Sequence, residues 1–169
     1  MKRKQVFNFN PGPAALPKPV LKQAQKELVD YHGLGYSIME ASHRSPPYEE
    51  INDAAEANIR KLFGLSDRYA VLFLQGGASL QFAMVPMNLA IPGKPALYAD
   101  TDTWTANAIK EAQSFTEPRV VFSGKANNYS SIGDCSEWPV DPQAAYFYLC
   151  SNNTIRGTQY HFFPETGEV

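Results

Sequence analysis

Residues 72–81, LFLQGGASLQ, carry an apolar run into Gly76 and Gly77, then into Ala78, Ser79 and a helical pattern. A strand feeding a tight glycine turn leaves several backbone N–H groups unpaired where the next helix starts. Together with the positive end of the helix dipole they point at one place. That is a cradle for an anion, a phosphate above all. Neighbouring glycines after a strand also occur in α/β proteins for steric reasons alone, so the motif by itself leaves both readings open. It is neither GxxxxGK[ST] nor GxGxxG, which argues against a nucleotide.

His43 and Arg44 stand side by side where an aperiodic loop, residues 33–47, closes on two prolines. Such a pair can be a solvated surface turn. It can also clamp an anion, because a guanidinium offers a planar fork to phosphate or carboxylate and the adjacent imidazole adds a donor. Trp104 and the run Ser151, Asn152, Asn153 and Thr154 follow expected strands. A tryptophan there can be packing, and SNNT can be a turn bonded to its own backbone. In an open α/β sheet, however, ligands bind at the carboxyl ends of the strands, where an indole could stack on a flat ring.

The elements that position these residues alternate along the chain. Residues 7–19, FNFNPGPAALPKP, are too rich in Pro and Gly for regular structure and read as an arm. Val20, Leu21, Ala24 and Leu28 repeat at helical spacing, with Pro19 suited to the first turn and Gly33 to the C-terminal cap. Ile51, Ala55, Ile59, Leu62 and Phe63 mark a second helix from Tyr48 to a stop at Gly64. A strand is expected over residues 69–74, then a helix through Leu80, Phe82, Val85 and Leu89 that Pro86 breaks or kinks. Residues 95–99 read as a strand, and Asp100, Thr101, Asp102 and Thr103 offer caps for a helix over 104–115. Further strands are expected over 119–122, 145–150 and 159–163, with a loop-rich stretch over 124–143 and a turn over 164–167. The alternation predicts an α/β domain with a mainly parallel sheet and flanking helices.

Composition narrows the function. The 169 residues are 44% hydrophobic and 19% charged, an ordinary globular balance. Fifteen Lys and Arg against seventeen Asp and Glu leave no basic excess for a nucleic acid or an anionic membrane, so neither is an expected partner. Cys135 and Cys150 have no framework spacing, which suggests reduced thiols and a cytoplasmic protein. The basic start, MKRKQVFNFNPGP, reaches Asn and Pro before any apolar run, so neither a signal peptide nor a span is read there; a removed transit segment would leave an organelle open. His32, His43 and His161 lack metal-ligand spacing with each other or with the cysteines, so no metal is expected. The absence of GxSxG leaves a hydrolase triad without an anchor.

Taken together, NFNPGPAALP, SIMEASHRS, FLQGGASLQF with VPMNLA, TDTWTANAIKEA and SNNTIRGTQ resemble the phosphoserine aminotransferases, fold-type I enzymes that use pyridoxal 5'-phosphate. The matching stretches run in order along the whole chain. The resemblance implies that Ala78 and Ser79 hold the cofactor's phosphate, that Trp104 stacks on its pyridine ring, and that Thr154 offers the pocket a hydroxyl. It implies that His43 and Arg44 bind the phosphate of phosphoserine or the side-chain carboxylate of glutamate. The implied reaction is reversible transamination between phosphoserine and 2-oxoglutarate, in serine biosynthesis, by a homodimer with active sites near the subunit interface.

The resemblance also implies that the Schiff-base lysine, the aspartate at the pyridinium nitrogen and the arginine for the α-carboxylate lie beyond Val169. Lys94, Lys110 and Lys125 are not in a matching context, so no catalytic residue is assigned in this chain. The expected organisation is an arm over 1–19 and the N-terminal half of the large cofactor-binding domain over 20–169. The C-terminal half and the small domain are expected to be absent, leaving a chain inactive by itself. The stop at PETGEV, after a turn and with parallel strands wanting neighbours, fits that expectation. The competing reading is a non-catalytic α/β module that binds a phosphorylated small molecule or the complete enzyme.

Overall fold

The computed structural model describes residues 6–10, 12–167 and 169, in two units, Met1–Leu74 and Gln75–Val169. Residues 1–5 and Pro11 of the expected arm, and Glu168 near the end, lie outside the described residues.

In the first unit, residues 14–17 carry no regular structure and α1 spans Lys18–Glu27 with proline in its first turn. The helix ends well before Gly33, the expected cap. Leu28 closes it in right-handed geometry, and Gly33 instead serves a later turn with φ +82°. That turn is tied by the Tyr31 N–H donating to the Tyr36 carbonyl at 2.8 Å. A short 3-10 turn, Ile38–Glu40, interrupts the expected loop. Ser37 Oγ accepts from the Met39 N–H at 3.1 Å, while Glu40 Oε2 accepts from the Ser37 N–H at 2.7 Å. The second helix, α2, spans Pro46–Phe63. Its two prolines open the helix rather than end the loop, because a fixed φ and a missing N–H cost nothing in a first turn. Gly64 closes it with φ +63°.

The strand expected over residues 69–74 does not form. Leu72 and Phe73 are 69% and 53% exposed, and among the described residues no neighbour offers a hydrogen-bond ladder. An apolar run is only half of a strand; the other half is a partner.

The second unit begins with α3, Gly77–Leu89. Pro86 does not break it. The missing N–H forfeits one bond, but Pro86 is fully buried, and its carbonyl still accepts from the Ala90 N–H at 3.0 Å. Then follow β1 (Ala96–Asp100), α4 (Thr103–Ala112), β2 (Pro118–Ser123) and β3 (Tyr146–Tyr148), each within a few residues of its expected place. The sheet is parallel in the order β2–β1–β3, as the alternation of elements predicts. A two-residue antiparallel ladder joins β4 (Asn152–Asn153) to β5 (Thr158–Gln159), so the strand expected over 159–163 is confined to its first residue.

Central β1 is covered on both faces, and Ala96, Leu97, Tyr98 and Ala99 expose no surface. Successive side chains go to opposite faces. Ala96 and Tyr98 pack with Phe82, Ala108, Ala112 and Tyr146, whereas Ala99 packs with Cys135, Trp138 and Tyr160. The Tyr98 and Tyr146 hydroxyls meet at 2.6 Å. Burial, reinforced by that bond, pushes the Tyr98 hydroxyl far above its ordinary pKa, and Tyr148 is pushed up to about 12, chiefly by burial. On the other face Trp138 stacks on Phe122 at 5.1 Å, which anchors the loop-rich stretch over 124–143. Among the described residues no helix is long and apolar enough to cross a membrane.

Candidate functional site

The two α-helices of the second unit, α3 and α4, begin in opposite chemical states. At α4 the N-terminus is already answered. Fully buried Asp102 caps it, with Oδ1 accepting the Thr103 N–H at 2.6 Å and Oδ2 without a partner among the described residues. A carboxylate there satisfies the helix dipole. At α3 nothing does so. The cap is Gly76, no side chain bonds to the first turn, and no acidic residue lies in it.

Among the described residues the N–H groups of Gly77, Ala78 and Ser79 donate to nothing; the first bond is Leu80 N–H to the Gly76 carbonyl at 3.4 Å. Gly76 holds φ +95°, and a Cβ there would lie 2.7 Å from Leu80 Cβ, so a side chain is excluded both by backbone and by space. Ala78 and Ser79 are exposed. A groove of about 240 Å³ lined by Ser79, Phe82, Asn107, Lys110 and Glu111 runs beside them. Three free donors, a helix dipole and a bare glycine cap fit a phosphate.

Trp104 and Thr154, fifty positions apart, are brought together: the indole Nε1–H donates to Thr154 Oγ1 at 3.0 Å. Trp104 is half-buried and Thr154 is exposed. The bond fixes the rotation of the indole plane. It also leaves the threonine hydroxyl's own proton free to donate. A planar ring with a polar substituent fits these two groups, so the residues present suit pyridoxal 5'-phosphate at both its phosphate and its ring.

Beneath them lies a polar network that the sequence reading missed. Asp100, at the end of β1, accepts from Ser123 Oγ at 2.7 Å and from the Tyr129 hydroxyl at 3.3 Å. Burial and the Asp100 carboxylate raise the Tyr129 pKa, so the phenol stays a donor. Thr105 Oγ1 accepts the N–H groups of Thr101 at 2.8 Å and Asp102 at 3.0 Å. Asn153, fully buried, joins Thr101 to Thr158. Only DTDT and SNNT signalled this in sequence, and each also reads as a local cap or turn. Burial raises the Cys150 thiol pKa, partly offset by a hydrogen bond with the Asn152 backbone and reinforced by the Asp102 charge.

His43 and Arg44 belong to the first unit. Both are exposed on a tight turn in which Ser42 Oγ accepts the Arg44 N–H at 3.2 Å and the Ser42 carbonyl accepts from Ser45 Oγ at 2.7 Å. Among the described residues neither enters an ion pair. A cavity of about 740 Å³ in this unit, lined by Lys22, Lys26, Glu27, Asp30 and His32 among others, includes none of the expected site residues. Among the described residues no cluster of His, Cys, Asp or Glu could hold a metal.

Comparison with known proteins finds relatives in sequence and in fold. The phosphoserine aminotransferase of Syntrophobacter fumaroxidans is 52% identical over 167 residues, covering 98% of this chain and 46% of the relative. That of Alkalihalobacillus alcalophilus is 51% identical, covering 96% and 45%. A solved structure described as radiation damage of the Schiff base in phosphoserine aminotransferase superposes with a TM-score of 0.92 at 50% identity, covering 98% of this chain and 46% of that one. The PLP-bound phosphoserine aminotransferase from Trichomonas vaginalis gives 0.86 at 32%, covering 95% and 46%. The chain thus spans about half the length of the relatives it matches. With the aminotransferase class-V family matching residues 6–169, the chain belongs to that family of transaminases.

Proposed function

We propose that this chain is the part of a phosphoserine aminotransferase that grips pyridoxal 5'-phosphate by its phosphate and ring. The complete protein would interconvert phosphoserine and 2-oxoglutarate with 3-phosphohydroxypyruvate and glutamate. The observation that carries the reading is the pairing of an uncapped α3 N-terminus with the Trp104–Thr154 bond on one folded unit. The relatives' names support phosphoserine as one substrate.

When bound, the cofactor supplies an electron sink that makes the Cα proton of an amino acid removable. The residues of this chain have simpler tasks. The N–H groups of Ala78 and Ser79 hold the phosphate, and the helix dipole favours its charge. Trp104 stacks on the pyridine ring and shields one face from water. Thr154, whose Oγ1 accepts the indole N–H hydrogen bond, would offer the pocket its own hydroxyl proton for a polar contact. His43 and Arg44 clamp the substrate's distal phosphate or carboxylate, the guanidinium through a planar fork.

No lysine of this chain is assigned to the carbonyl of the cofactor in this reading. The described residues ahead of α1 serve as an arm, and the rest of the chain as the N-terminal half of the large cofactor-binding domain. A homodimer for the complete protein follows from the family resemblance, and a cytoplasmic setting fits the two free thiols.

Equilibrium dialysis tests the reading. Ser79→Asp, which puts a carboxylate among the free N–H groups, should weaken pyridoxal 5'-phosphate binding by at least about tenfold, in line with the worth of a charge-assisted hydrogen bond. It should leave phosphate-free pyridoxal unaffected. Equal loss for both ligands, or none for either, contradicts it.

A further inference from the structure

Thr154 is exposed on a hairpin whose ladder is only two residues long on each side. A ladder that short is marginal by itself. A half-exposed indole bond cannot fix such a hairpin either, yet the Trp104–Thr154 distance is that of a well-formed bond. Arg156 adds a bond from its Nη1–H to Asn128 Oδ1 at 3.2 Å, also exposed, so the buried contact next to Thr154 is the one suited to set the distance.

The structure assigns that role to Asn153: we propose that it is the positioning residue that holds Thr154 against Trp104, and so shapes the ring end of the cofactor pocket. The inference rests on the cofactor reading above only for the pocket's use, not for its geometry. Asn153, Thr101 and Thr105 expose no surface. Thr101 Oγ1–H donates to Asn153 Oδ1 at 3.2 Å, and Asn153 Nδ2–H donates to Thr158 Oγ1 at 2.9 Å. The Asn153 carbonyl accepts the Gly157 N–H at 2.7 Å, closing the hairpin's turn. Thr101 is in turn tied to α4 through its N–H on Thr105 Oγ1 at 2.8 Å. Thr105 follows Trp104 in the chain, and Thr154 follows Asn153. The bonds therefore close a circuit: Trp104, Thr105, Thr101, Asn153, Thr154 and back to the indole.

A carboxamide suits this position because it accepts at one end and donates at the other, facing two hydroxyls in opposite directions. Cutting the circuit at Asn153 frees the hairpin at both contacts. Cutting it at Thr101 frees one. The hairpin's remaining ties, the Arg156–Asn128 bond and the packing of Tyr160 on Trp138, lie at other residues, so the exposed indole bond is left to keep Thr154 against Trp104.

The chain has two tryptophans, so its indole N–H groups give two NMR resonances. Thr154→Val identifies that of Trp104. Without cofactor, Asn153→Leu should move the Trp104 indole resonance toward its Thr154→Val position and speed its solvent exchange on the order of tenfold, the factor expected for one net hydrogen bond. The Trp138 indole, packed on the sheet, should stay where it is. Thr101→Val should give the same change with smaller size. A Trp104 resonance unchanged in both variants overturns the proposal. If Asn153→Leu does not fold, seen as loss of the Trp138 position, Thr101→Val and Thr158→Val decide by the same criterion. A wild-type chain that binds no pyridoxal 5'-phosphate would sink the cofactor reading while leaving this cofactor-free test intact. Weakened cofactor binding in Asn153→Leu with a wild-type Trp104 resonance would also overturn the positioning role.

Discussion

In the second unit four consecutive residues of β1 expose no surface, and both faces of the strand are packed with aromatics. In the first unit α1 and α2, ten and eighteen residues long, bury none of theirs, and Leu62 and Phe63 are 81% and 75% exposed. The difference separates two kinds of candidate site. Trp104, Thr154 and the α3 cradle sit on elements whose register is fixed by a core. His43 and Arg44 sit on a turn fixed by Ser42 alone. A ring must be held flat and aligned, so a rigid frame suits it; a clamp for a mobile substrate's far end can rest on local bonds.

Substitutions can break this contrast, the largest effect coming from the core. Leu97→Ala should cost roughly 3 kcal/mol of unfolding free energy in urea, the usual loss for a fully buried leucine. Leu62→Ala should stay within about 0.5 kcal/mol. Similar costs for the two would erase the distinction between the units. Next in size is Gly76→Ala, which meets both a positive φ and the Leu80 side chain and should cost on the order of 1–3 kcal/mol. Gly64→Ala has a positive φ but open space, so its cost should be smaller, roughly 1–2 kcal/mol. Thermal melts of the pair show whether space or backbone matters more.

Alkaline pH sharpens the same contrast. Tyr98 and Tyr146 have folded pKa values raised above the ordinary tyrosine range, mainly by burial. The folded state therefore keeps protons that the unfolded state loses first. Their contribution is fully present below about pH 10 and declines as pH rises above it, by at most about 1.4 kcal/mol per pH unit for each group. Stability measured against pH should fall more steeply once pH passes about 10, beyond any decline that the buried thiols Cys135 and Cys150 begin earlier, and Tyr98→Phe should lessen that slope. The smallest effect belongs to the clamp: Arg44→Ala should change stability by less than about 0.5 kcal/mol, because the side chain is exposed and unpaired among the described residues. In the complete enzyme it should weaken phosphoserine binding and spare the cofactor; unchanged phosphoserine affinity would remove Arg44 from the clamp.

The alternation of strand and helix was legible because β1, α4 and β2 combine period with caps in the sequence itself. The glycine cradle was legible too, since Gly76 and Gly77 mark a backbone that only glycine adopts easily. Residues 69–74 misled because apolar content cannot reveal whether a partner strand exists. That α3 runs on through Pro86 without a break was not legible, because the burial of Pro86 is a tertiary fact. The join between Thr101 and Asn153 spans 52 positions, and each residue has a sufficient local explanation, so no short-range pattern points from one to the other.

The most direct measurement is an NMR titration of the chain with pyridoxal 5'-phosphate, reading the Gly77, Ala78 and Ser79 amides and the Trp104 indole together. The account predicts that all four resonances move with one binding curve, that Trp138 does not, and that pyridoxal without phosphate leaves the three amides in place. Movement of the indole without the amides, or an identical response to pyridoxal, would contradict it.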